Sequence, residues 1–98
     1  RGIGPTLARF GVPSSLADPT LSIVGPTNTV VATNDDWGTA SNAGDIVIAS
    51  AGVGAFTLPA SSSDAAVLVT LSPGAYTASV SGANGTRGVA LIEVYEVP

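Results

Sequence analysis

The chemistry open to this sequence rests on its carboxylates. There are seven, Asp18, Asp35, Asp36, Asp45, Asp64, Glu93 and Glu96, against three cations, Arg1, Arg9 and Arg87. Cys, His, Lys and Met are absent. Without His there is no proton shuttle near neutral pH and no Ser-His-Asp triad, despite abundant Ser. Without Cys there are no disulfides, no thiolate nucleophile and no common zinc site. Paired carboxylates can run glycoside hydrolysis. The available pairs set Asp35 or Asp36 against Asp45, Asp64, Glu93 or Glu96. The five aromatic residues are mostly claimed by a core, so no aromatic-lined sugar cleft is expected. The reading is a chain with no catalytic residue and no cofactor.

The densest polar cluster is Asn34-Asp35-Asp36-Trp37-Gly38. Clustered carboxylate and carbonyl oxygens suit a hard cation, which makes Asn34, Asp35 and Asp36 the weak calcium candidates. The spacing of a known calcium loop is lacking. The expectation is therefore a structural turn of Asn34, Asp35, Asp36, Trp37 and Gly38, with the Trp folded over one end of the fold. The glycine-rich runs at 52–56 and 82–88 do not lie between a strand and a helix with Lys following, so they are not phosphate loops. Asn84-Gly85-Thr86 matches a glycosylation sequon, which makes a glycan one partner to consider. Asn-Gly is equally a hairpin turn, and the turn is favoured. Glu93 lies between apolar neighbours and is expected to pair with Arg1, Arg9 or Arg87, or to stand as an edge charge that discourages stray strand pairing.

The elements that would position these residues read as β. Strands are expected at 20–24 and 29–33, joined as a hairpin through Gly25-Pro26-Thr27-Asn28, where Pro26 sets φ and Asn28 tolerates a left-handed backbone. Three more are expected at 65–71, 75–81 and 88–97, forming a C-terminal antiparallel meander. Tyr76, Ala78 and Val80 alternate with Thr77, Ser79 and Ser81, the pattern of a sheet with one wet face. The last run is apolar on both faces and reads as a central or doubly covered strand. Residues 6–11 suit a helical turn ending at Gly11. Residues 41–56 are open between helix, capped by Asn42, and strand, favoured by Ile46-Val47-Ile48. The fold class is all-β: a single domain over 1–98, an antiparallel β-sandwich with Greek-key or jelly-roll connections and at most one or two short helical turns.

Composition bears on partners. Only 10% of residues are charged, against about 25% in an ordinary soluble domain. The net charge is −4, and three scattered Arg residues make no track for nucleic acid. No run approaches the ~20 apolar residues of a spanning helix, so membrane insertion is not expected. A surface so poor in charge fits a domain covered by neighbours, or one relying on hydroxyls and glycans.

Taken as a set, "GPTLARFGV", "LADPTL", "NDDWG" and "LSPGAYTASVSG" with "GVALIEVYE" resemble a domain recurring in large bacterial secreted proteins. The pattern is similar to the pre-peptidase C-terminal-like β-sandwich domains and covers almost the whole chain. The resemblance implies an extracellular or cell-surface, non-catalytic sandwich and supplies no catalytic residues. Domains of that pattern carry a hydrophobic strand just before the Arg-Gly-Ile-Gly-Pro segment. Such a strand is expected either in sequence ahead of Arg1 or from another chain. The functional expectation is a structural subunit of a self-assembling filament or surface layer, a homopolymer built by strand addition or by stacked apolar faces. Its interface would comprise Arg1, Gly2, Ile3, Val89, Leu91, Glu93, Tyr95 and Val97. The alternative is an extracellular binding module, for carbohydrate, attachment or secretion, from a larger exoprotein.

Overall fold

The computed structural model describes all of residues 1–98. Two antiparallel sheets organise the chain, one of three strands and one of two. In the larger sheet β2 (Pro19–Val24) lies between β3 (Val30–Asn34) and β4 (Thr77–Gly82). The β2–β3 hairpin closes through Gly25–Thr29, with Asn28 at φ 60° and its N–H donating to Gly25 O at 3.0 Å. That is the turn the Pro-Thr-Asn chemistry predicts. β4 alternates as its sequence does, with Ala78 and Val80 half-buried and Thr77, Ser79 and Ser81 exposed.

The smaller sheet pairs β1 (Gly2–Ile3) with β5 (Leu91–Ile92), in the register Gly2 with Ile92 and Ile3 with Leu91. Here the structure corrects the sequence reading. The expected C-terminal meander does not form: β4 pairs with β2, and the last run pairs with β1. Of 88–97 only Leu91–Ile92 is a strand, and of 65–71 only Ala65 forms a bridge, to Gly2. The last run is not doubly covered either, since Val89, Leu91, Ile92, Val94, Tyr95 and Val97 are all exposed, Val94 at 82%. A strand needs a neighbour at backbone distance, and β1 is too short to pair with more of either run.

Residues 41–56 resolve as helix. α1 (Ala43–Gly52) is a ten-residue helix, longer than the short turns expected. Ala43, Ala49 and Ala51 have the highest helix propensity, and Asp45 in the first turn complements the helix dipole. These outweigh the β preference of Ile46-Val47-Ile48. Asn42 precedes the helix but does not cap it: its side chain donates to Leu68 O at 3.1 Å. A 3-10 helix over Pro5–Phe10 ends at Gly11 with φ 77°, the left-handed stop read from Arg9-Phe10-Gly11. Asn84 and Gly85, at φ 53° and 74°, form the Asn-Gly turn after β4.

The core joins Ile3, Leu7, Trp37, Ile46, Leu58 and Ala66, drawn from β1, the first 3-10 helix, α1 and the connecting segments. No helix is long and apolar enough to cross a membrane.

Candidate functional site

An apolar hollow lies where the ladders stop. A groove of about 200 Å³ runs between the segments 66–71 and 92–97. Leu21, Ile23 and Ala78 of the larger sheet line one side, and Ile46, Ala49 and Val53 line another. It passes into a wider, more polar hollow of about 590 Å³ bounded by Asn42, residues 68–71 and residues 95–97. Both long walls are extended chain with unused hydrogen-bonding capacity. Residues 67–71 and 94–97 make no backbone–backbone hydrogen bond. Across the chain there are 42 such bonds, against about 65 expected for this length.

Arg1 and Glu93 sit at the end of the groove where β1 enters it. Arg1 N donates to Glu93 O at 2.8 Å and Glu93 N to Arg1 O at 3.0 Å. Arg1 Nε donates to Glu93 Oε1 at 2.8 Å, and Nη1 to Phe56 O at 2.7 Å. The guanidinium lies 4.5 Å from the Phe56 ring centroid, a cation–π contact. Nη2 is buried without a partner. The Tyr95 hydroxyl donates to Glu93 Oε2 at 3.0 Å, and that bond to a carboxylate raises the Tyr95 pKa. So Glu93 pairs with Arg1, while Arg9 and Arg87 remain exposed.

The interface residues read from the sequence divide in two. Gly2 and Ile3 are buried within their own chain, pairing with 91–92. Val89, Leu91, Tyr95 and Val97 are exposed.

The Asn34–Gly38 turn sits at the far end of β3. Trp37 is 6% exposed in the core, and its Nε1 donates to Pro59 O at 2.9 Å. Asn34 is spent on the turn: Nδ2 donates to Asp36 O at 3.2 Å and Oδ1 accepts from Ala66 N at 3.1 Å. The carboxylates that meet are Asp18, Asp35 and Asp36, with ligand oxygens within 4.8 Å of one another. Asp18 takes the place expected of Asn34. The Asp35 carboxyl is pushed above its ordinary value, chiefly by a hydrogen bond to Asp18, then by partial burial and the Asp18 and Asp36 charges. A shared proton relieves the repulsion between neighbouring carboxylates.

Asp64 has a role the sequence did not reveal. It is fully buried and accepts from Gly4 N at 2.8 Å, Thr6 N at 3.3 Å, Ser62 Oγ at 2.7 Å and the Thr6 hydroxyl. The carboxylate thus satisfies the first amides of the 3-10 helix, as an N-cap would. Asp45 and Glu96 are exposed.

No protein-family model, curated protein or solved structure matches this chain.

Proposed function

We propose that the protein is a non-catalytic extracellular structural subunit, completed and polymerised by contact with other subunits. The observation that carries the reading is the apolar groove between two segments, 67–71 and 94–97, that make no backbone–backbone hydrogen bond. In this reading the two sheets are the halves of an antiparallel β-sandwich, left open along that groove. Surface area supports a missing partner. The chain exposes 5775 Å², where a folded monomer of 9.5 kDa exposes about 5,050 Å². The excess, about 700 Å², approaches the ~800 Å² that each partner buries in a standard interface. Val94, Ile48 and Phe10, among the most exposed apolar side chains, add to a surface carrying only 10% charged residues. The pattern shared with pre-peptidase C-terminal-like domains points the same way, to a secreted sandwich without catalytic groups. The carboxylates are engaged structurally where they are buried, Asp64 by backbone and hydroxyl donors and Glu93 by Arg1.

Sedimentation and negative-stain micrographs of the native protein test the reading. Polymers that persist on dilution are expected. A monodisperse monomer at high concentration, retained on polysaccharide, would instead establish a binding module.

A further inference from the structure

We infer that Asn84 is a site of covalent self-modification, losing its side-chain amide as ammonia through attack by the backbone nitrogen of Gly85. The Asn84-Gly85-Thr86 run plays no part in the assembly reading above. It forms the loop after β4, closed by Thr86 N donating to Ala83 O at 3.1 Å. The Thr86 hydroxyl donates to the same oxygen at 2.8 Å. Asn84 is exposed at φ 53° and ψ 34°, and its side-chain amide makes no hydrogen bond. Gly85 has open space where a Cβ would stand, with nothing within 4 Å. Lacking a Cβ, it leaves its own peptide nitrogen unshielded.

The step balances with water alone. The Gly85 nitrogen bonds to Asn84 Cγ and gives its proton to water. The Cγ–Nδ2 bond breaks, and Nδ2 takes up a proton and leaves as ammonia. The resulting five-membered succinimide adds one water at either carbonyl. Opening at Cγ leaves an ordinary aspartate, and Asp tolerates the left-handed backbone as Asn does. Opening at the backbone carbonyl leaves an isoaspartyl link, with the main chain running through Cβ and Cγ.

The other three asparagines are protected. Asn34 is held at both ends, its Nδ2 by Asp36 O and its Oδ1 by Ala66 N. Asn42 donates to Leu68 O at 3.1 Å. Asn28 is exposed in a left-handed turn, but the branched Cβ of Thr29 crowds the attacking nitrogen. The fold also sets the rate at Asn84. With ψ at 34°, the Gly85 nitrogen lies across the Cα–C bond from the side chain, so the loop has to open before the ring closes. Exposed loop tips open at little cost. The flanks stay anchored, Ala83 N to Asp18 O at 2.8 Å and Val89 N to Ser14 O at 2.9 Å.

The test ages the whole chain in neutral heavy-oxygen water and follows it by isoelectric focusing. The reaction replaces a neutral amide with a carboxylate, adding one negative charge to the net −4. A more acidic band should accumulate and carry the heavy oxygen. Peptide fragmentation should place the label at position 84 as a mixture of aspartyl and isoaspartyl forms. The band should grow faster in denaturant than in the folded chain. Asn84→Asp should focus at the acidic position from the start and shift no further. A new acidic band in that variant overturns the site. Aspartate without any isoaspartyl form overturns the ring, and equal rates in the folded and denatured chain overturn the control by the loop. No acidic band at all, or native protein carrying a glycan on Asn84 Nδ2, overturns the inference.

Discussion

At the scale of single residues, buried polar groups decide most. Trp37 combines a nearly complete burial with a bond from its indole N–H to Pro59 O. Trp37→Ala should cost about 3–5 kcal/mol, read as a lower denaturant midpoint. Asp64→Ala would leave Gly4 N, Thr6 N and two hydroxyls without their acceptor. Each buried orphan costs about 1–3 kcal/mol. Chemical denaturation should therefore show a loss at least as large as that for Trp37→Ala. The acidic cluster has the opposite sign. Asp35 holds its proton more tightly folded than unfolded, because Asp18 shares it. Its contribution is full below the ordinary value of 3.8 and falls as pH rises through the elevated folded value. Asp35→Asn should raise the melting temperature at pH 7 and flatten its rise as pH falls toward the ordinary value of 3.8. A variant melting lower at pH 7 would show that Asp35 is needed ionised.

At the scale of elements, local signals succeeded where the chain turns back on itself. The Pro26 to Asn28 turn, the Gly11 stop and the Asn84-Gly85 turn each follow from φ preferences within a few residues. In α1 the alanines and Asp45 outweigh the β preference of Ile46-Val47-Ile48, and Ile46 joins the core cluster that holds Trp37. Gly44 lies in that helix, and an added Cβ there meets nothing within 4 Å. Gly44→Ala should stabilise by about 0.5–1 kcal/mol, a melting shift of about 3–6 °C. Gly4→Ala should do the reverse, because its Cβ would overlap Leu16 O. Calorimetry of both variants checks the contrast.

At the scale of the whole molecule, exposed apolar edges and low charge act together. A charge on an open strand edge opposes pairing with another chain. Val94 is 82% exposed, so Val94→Lys should leave the melting temperature of the monomer unchanged while abolishing polymers in sedimentation. Polymers unaffected by this change would place the subunit contact elsewhere, with the exposed Val47 and Ile48 of α1 the next surface to alter.

The sequence by itself determined the β2–β3 hairpin, the wet and dry faces of β4, the turns and the anchoring Trp. Each depends on preferences that act over a few residues. The tertiary structure alone decided that Leu91–Ile92 pair with β1 and not with β4, that 65–71 forms no ladder, and that Asp64 and Asp18 join the groups they do. Those outcomes depend on residues far apart in sequence: Asp64 meets Gly4 across 60 positions, and Arg1 meets Glu93 across 92. Apolar, β-branched composition makes a segment fit to be a strand, but the ladder forms only where another backbone lies alongside.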